Sequence, residues 1–198
     1  MRVIAGSAGG IQLDVPKRKV RPTMDRVKAA IFSSLADQVL GARVLDLFAG
    51  SGALGIEALS RGASSALFIE QDGPSISAIE KNLAKTKLTG QARQQDVFRF
   101  LRGASFPEGG FHLIFADPPY EQTESGERFT EKLLTDHVLP QLLLPEGVFV
   151  LEKRPSESVG ESPIWRIARR KTYGATEVLF LQHAATPTSP SQVSGIQK

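Results

Sequence analysis

The chain has 198 residues, a formal net charge of +3, 41% hydrophobic and 23% charged residues, and no cysteine. That length suits one α/β domain with short appendages, the composition is that of a globular protein rather than a disordered or membrane chain, and the missing cysteines exclude a disulfide framework, a thiolate zinc site and a cysteine nucleophile. His112, His137 and His183 lack ligand spacing, so no metal is expected; no apolar run approaches the roughly 18 residues of a membrane span and the start carries no signal-peptide stretch, so a cytoplasmic protein without a membrane partner is expected.

The first 43 residues hold eight basic side chains against three acidic ones. Within them, Pro16-Lys-Arg-Lys-Val-Arg-Pro22 is proline-bounded and reads as extended, because residues before proline avoid the helical region. Residues 1–22 are therefore read as a basic arm, a charge run that fits either a solvated face or a nucleic-acid surface. Thr23 can cap a helix running to about Leu40, with Asp25 in its first turn and Val27, Ile31 and Leu35 along one face. Strand-like apolar runs follow at Val44–Phe48, Ala66–Ile69, His112–Ala116, Gly147–Leu151, Trp165–Lys171 and Thr176–Leu181, with helical patterns at about 53–61, 75–87 and 129–143. This alternation predicts a doubly wound, mostly parallel seven-stranded α/β sheet over residues 23–183. Its last two runs flank Tyr173-Gly-Ala175 and should form an antiparallel hairpin at one edge. Residues 184–198, rich in Ser, Thr, Pro and Gln, read as a disordered tail.

Two motifs carry chemistry. Asp46-Leu-Phe-Ala-Gly-Ser-Gly-Ala-Leu-Gly55 stands where a strand gives way to a helix, and its glycines let the backbone approach a ligand at the carboxyl end of the sheet. Gly50, Gly52 and Gly55 also match the dinucleotide fingerprint, with Glu70 placed as a ribose-binding acid, so at this point NAD stays open beside other nucleoside cofactors. The second motif is Asp117-Pro-Pro-Tyr120, directly after the fourth strand. An amino group on an aromatic base is a poor nucleophile, because its lone pair is delocalised into the ring. Two acceptors on its N–H bonds favour the tetrahedral nitrogen that reaction needs. Asp117 offers a carboxylate and Pro118 a carbonyl, Pro119 stiffens the turn, and Tyr120 can stack on the base. A dehydrogenase has no use for such a box.

The glycine loop and the box together resemble the amino-methyltransferases of nucleic acids. More specifically, Arg21-Pro-Thr-Met-Asp-Arg-Val-Lys28 with Phe32 and Leu35, Leu47–Gly55, Glu57-Ala-Leu-Ser60, Arg61 and Ile69-Glu70 are similar to the RsmD family of 16S ribosomal RNA guanine-N2 methyltransferases, over about residues 2–182. The resemblance implies a Rossmann-like S-adenosylmethionine-dependent enzyme that methylates one guanine, position 966, of 16S rRNA in a small ribosomal subunit or its precursor, acting as a monomer. It implies that Asp46, Phe48, Gly50, Ser51 and Gly52 wall the methionine part of the donor, that Glu70 and Gln71 meet the ribose, and that Asp96 and Val97, after the third strand, meet the adenine beside Asp117. Lys17, Arg18, Lys19, Arg21, Thr23, Arg26 and Arg166 are assigned to RNA. By the residues themselves, Asp96 equally serves as a helix cap and Arg26 as a surface helix residue. The family opens with an Arg-Gly-Arg run where this chain has Ala8-Gly-Gly-Ile11, which removes two expected phosphate contacts. A DNA adenine-N6 methyltransferase and a non-catalytic RNA-binding assembly factor are the alternatives.

Overall fold

The computed structural model describes residues 1–16, 24–103, 109–119 and 128–184. Tyr120 of the box, the arm residues Lys17, Arg18, Lys19, Arg21 and Thr23, and the tail beyond Ala184 lie outside the described residues. The sheet comprises β1 (Arg43–Leu47), β2 (Ser65–Glu70), β3 (Gln91–Gln94), β4 (Phe111–Ala116), β5 (Leu143–Lys153), β6 (Trp165–Tyr173) and β7 (Thr176–His183), in the order β3-β2-β1-β4-β5-β7-β6. β1 to β5 pair in parallel, while β7 runs antiparallel to both β5 and β6. The expected seven-stranded sheet and its edge hairpin are therefore present. β3 is the strand that hydrophobicity could not reveal: Gln91-Ala-Arg-Gln94 is polar and largely exposed because it forms the other edge.

Alternation along the buried strands sends neighbouring residues to opposite faces, which produces two cores. On one face Val44, Phe68, Phe115 and Val150 pack with α1 (Met24–Leu35), α2 (Ala53–Ser60) and α3 (Gly73–Thr86). On the other, Leu45, Leu47, Ile114 and Leu151 pack with α4 (Val97–Gly103), α5 (Phe129–Thr135) and α6 (Leu139–Leu142). The start of the chain belongs to the first core as well, since Val3, Ala8 and Leu13 are buried in it and Arg2 bridges Gln12.

The helices differ from the sequence expectation in two places. The first ends at Leu35 and continues as a 3-10 turn over Ala36–Val39, with Ala36 at φ 46°, so the α-helix does not reach Leu40. The stretch 129–143 is two helices rather than one. Asp136 Oδ1 accepts the N–H groups of Val138 and Leu139 at 2.8 and 2.7 Å and starts α6, and Pro140, which has no N–H, suits its first turn. Among the described residues, no helix is long and apolar enough to cross a membrane.

Candidate active site

All the parallel strands end on one edge of the sheet, and the turns leaving β1, β2, β3 and β4 meet there. β1 and β4 are direct neighbours with Leu47 opposite Ala116, so Phe48 and Asp117 leave the sheet side by side. β2 lies on the other flank of β1, with Leu47 opposite Ile69, and delivers Glu70 to the same edge. Strand order, which sequence does not state, thus brings the glycine loop, the ribose-type acid and the Asp-Pro-Pro turn together.

The loop is held open by backbone geometry and by carboxylates. Gly50 and Gly52 take φ of 57° and 77°, a region costly for residues with a Cβ, and Phe48 is itself at φ 55°. Glu70, 4% exposed, accepts the Gly50 N–H on Oε2 at 2.8 Å and the Asp72 N–H on Oε1 at 2.9 Å. Asp46, 2% exposed, accepts the Gly55 N–H at 2.9 Å and so fixes the first turn of α2. Burial pushes the Asp46 pKa up to about 8; the Gly55 hydrogen bond opposes this, and the charges of Asp117 and Glu70 add to it. Three carboxyl groups close enough to feel one another make an edge that favours a cation or hydroxyl donors, which suits a sulfonium-bearing nucleoside.

Asp96 Oδ1 accepts the Arg99 N–H at 2.8 Å, so Asp96 caps α4 at the end of the β3 turn, with Val97 buried behind it. Gln71 is exposed, and its carbonyl accepts from Gln94 Nε2 at 3.3 Å. Ser51 is buried, Asp117 half-buried, Pro118 buried and Pro119 exposed. Beside the box, Phe48, Phe98 and Phe129 form a ring cluster. Phe98 and Phe129 stack at 6.0 Å, Phe48 lies edge-on to both, and Lys132 Nζ lies 5.5 and 5.8 Å from the Phe98 and Phe129 ring centres. Apolar periodicity gave no reason to single out Phe98 or Phe129, because only the chain crossing brings them to Phe48.

Two of the residues assigned to RNA, Arg26 and Arg166, lie in the described parts. Arg26 is exposed on α1. Arg166 sits near the start of β6, opposite Gln182, toward the edge of the sheet away from the box; its Nη2 donates to Gln182 Oε1 at 2.6 Å. Its basic neighbours are also engaged: Arg169 and Lys171 bond Ser34 of α1, and Arg170 lies 3.7 Å from Glu177.

Sequence inspection passed over the polar groups that seat the N-terminal segment. Glu57, 0% exposed on α2, accepts the N–H groups of Ile4 and Ala5 at 2.7 and 3.1 Å and pairs with Lys28 at 3.1 Å and Arg61 at 2.7 Å. Lys28 is lowered below its ordinary pKa by burial, and Glu57 opposes that shift. Asn82 on α3 is equally buried. In the sequence, Lys28, Glu57 and Arg61 stood among the residues that carry the family resemblance but had no role assigned, and Asn82 was an amide within an otherwise apolar helical stripe.

A family model described as Conserved hypothetical protein 95 matches residues 1–182. The chain is 40% identical over 185 residues to "Putative rRNA methyltransferase YlbH" of Bacillus subtilis (strain 168), covering 90% of this chain and 96% of that protein. It is 35% identical over 189 residues to ribosomal RNA small subunit methyltransferase D of Escherichia coli (strain K12), covering 93% of this chain and 91% of that protein. Among solved structures, the Thermus thermophilus 16S rRNA N2 G1207 methyltransferase RsmC, in complex with AdoMet and guanosine, superposes with a TM-score of 0.63 at 27% identity, over 84% of this chain and 44% of that one. By the match over residues 1–182 and the relatives that share it, the chain belongs to this family, that of the RsmD ribosomal RNA methyltransferases.

Proposed function

We propose that this protein transfers a methyl group from S-adenosylmethionine to the exocyclic N2 amine of one guanine of 16S rRNA, the guanine 966 position that the family resemblance implies, in the small ribosomal subunit or its precursor. The observation that carries this reading is the Asp117-Pro118-Pro119 turn leaving β4 beside the glycine loop of β1, with Asp117 close enough to raise the pKa of Asp46. The RsmC structure, described as an N2 guanine enzyme in complex with AdoMet and guanosine, shares this fold and supports the choice of donor and target group.

S-adenosylmethionine, when bound, supplies a methyl group made electrophilic by its sulfonium. Asp46, Phe48 and Gly50 to Gly52 would hold its amino-acid part, Glu70 with Gln71 its ribose, and Asp96 with Val97 its adenine. The Asp117 carboxylate accepts one N–H of the target amine and the Pro118 carbonyl the other, turning the nitrogen lone pair out of the ring plane. Tyr120 stacks on the extracted base, and unstacking that base from RNA is offset by this contact together with phosphate contacts from the basic arm. Once the amine carries a methyl group its proton is acidic, so Asp117 or water takes it after transfer rather than before. Holding the amine at about 3–3.5 Å from the methyl carbon accounts for most of the acceleration.

The test is methylation, with labelled donor, of small subunits from a strain lacking the gene, followed by mass mapping of the nucleotide. N2-methylguanine in 16S rRNA is expected, and Asp117→Ala should abolish it while leaving RNA affinity nearly intact. Methyl transfer to adenine in DNA, or binding of the subunit without transfer, would replace the proposal by one of its two alternatives.

A further inference from the structure

The strand that carries the Asp-Pro-Pro turn has a neighbour that brings a second carboxylate to it. Phe115 of β4 pairs with Val150 of β5 and Ala116 with Leu151, so the next residues along, Asp117 and Glu152, lie on adjacent stretches of chain about 4.8 Å apart. Phe115 and Val150 belong to the first core and Ala116 and Leu151 to the second, so alternation returns Glu152 to the first face, where its partner on β7 is Val178 of that core. Asp117 stands on the same side, since its charge is felt by Asp46, whose carboxyl is bonded to α2 there. The residue after Glu152 fixes the end of the strand. Lys153, 1% exposed, lies 2.7 Å from Glu177 Oε2 and donates to the carbonyls of Arg154 and Glu157 at 2.8 and 2.6 Å. Its ammonium is committed to those three partners, and Glu152 is left half-buried beside the box.

Among the standard bases, guanine alone sets two donor groups side by side on its Watson–Crick edge, the N1–H and the N2 amine. In adenine and cytosine the ring nitrogen next to the amine carries a lone pair instead. A carboxylate placed beside the one that takes the amine therefore tells the bases apart: it accepts a hydrogen bond from guanine N1–H and repels the lone pair of the other two. We propose that Glu152 is a specificity-determining residue that accepts guanine N1–H while Asp117 and Pro118 hold the N2 amine. The proposal deepens the functional reading above and rests on it. A carboxylate has about four acceptor positions, so Glu152 can take the base N–H in addition to donors of the protein. Like charges side by side on a sheet are unfavourable, and the paired donors of one guanine edge relieve both carboxylates at once.

The test uses small subunits reconstituted on 16S rRNA that carries either guanine or 2-aminopurine at the target position. The analogue keeps the N2 amine but has a lone pair at N1. With the wild type, kcat/KM should be at least about tenfold higher on guanine, the lower end of what a hydrogen bond to a charged group contributes. Glu152→Gln keeps the shape and can turn its NH2 toward N1, so its guanine-to-analogue ratio should lie at least about tenfold below that of the wild type. The analogue also lacks O6, but that loss is common to all variants and cancels when their ratios are compared. General loss of structure would lower both rates and leave the ratio where it was. Glu152→Ala, which removes the acceptor without offering a donor, should shift the ratio in the same direction and serves if the glutamine variant does not fold. A wild type that methylates both bases equally well, or a folded variant that retains the wild-type ratio, overturns the proposal. Failure of the wild type to methylate the guanine-bearing subunits would instead remove the functional reading, so the two failures are distinct.

Discussion

Asp46 offers the most quantitative test of the site's electrostatics. It is 2% exposed, accepts the Gly55 N–H at 2.9 Å, and has its pKa pushed up to about 8 by burial, with Asp117 and Glu70 adding to the effect. In the unfolded chain the same carboxyl ionises near its ordinary value of about 3.9. Between these two values the folded protein keeps a proton that the unfolded chain has released. The unfolded state then binds fewer protons, so this group makes stability fall as pH rises, by about 1.4 kcal/mol per pH unit. Its contribution is fully present below about pH 4 and is lost as pH rises through about 8. Asp46→Asn keeps an oxygen for Gly55 and has no proton to release, so it should lack this slope. Relative to wild type, the variant should gain roughly 2.7 kcal/mol between pH 5 and pH 7, read from urea unfolding of both proteins at several pH values. Parallel stability curves would refute the reasoning, since they would mean that Asp46 is already ionised in the folded protein. A cation placed beside Asp46 favours the ionised form, so wild-type S-adenosylmethionine affinity should also rise with pH over the same window.

Glu57→Gln should leave Lys28 buried without its charge partner, set an amide NH2 against one of the Ile4 and Ala5 N–H groups, and destabilise the protein by about 3–5 kcal/mol, measured by denaturant unfolding; a loss under about 1 kcal/mol would show that Glu57 does not seat the N-terminal segment. Gly6→Ala should lower the melting temperature sharply, because a Cβ there would lie 1.8 Å from the Ser60 carbonyl oxygen with φ at +86°; an unchanged melt would mean that the segment is free to leave Ser60. Replacing Lys17, Arg18 and Lys19 by alanine should flatten the salt dependence of RNA binding, by about 0.7–0.9 in log–log slope for each phosphate no longer neutralised, with turnover at saturating RNA little changed. A parental slope would make the arm a solvated face.

Several features were legible in the amino-acid order because they depend on local chemistry. Buried strands between covered faces must be apolar, so Val44–Phe48 and His112–Ala116 announced themselves, and Tyr173-Gly-Ala175 announced the edge hairpin. The Asp117-Pro118-Pro119 turn and the glycine loop were readable for a similar reason, since prolines and glycines restrict or free their own backbone whatever surrounds them. β3 escaped because an edge strand need not be apolar, and the break between α5 and α6 escaped because Asp136 becomes a cap only once the chain turns there. The partners of the C-terminal basic run were not legible either: Arg166 pairs across the strands with Gln182, and Arg169 and Lys171 reach Ser34 of a helix more than a hundred residues away in sequence.

The sequence by itself determined the repertoire of the site: a strand-to-helix glycine turn, an acid after the next strand, and a rigid acceptor turn after the fourth. Only the tertiary structure decided how these meet. Placing β1 between β2 and β4 sets Asp46, Glu70 and Asp117 within electrostatic reach of one another, and burial there lets Asp46 keep its proton near neutral pH. The same packing turned Glu57 and Asn82 into buried anchors for the start of the chain, a role invisible in sequence because it comes from accepting backbone N–H groups more than fifty residues away, which need a partner once water is excluded.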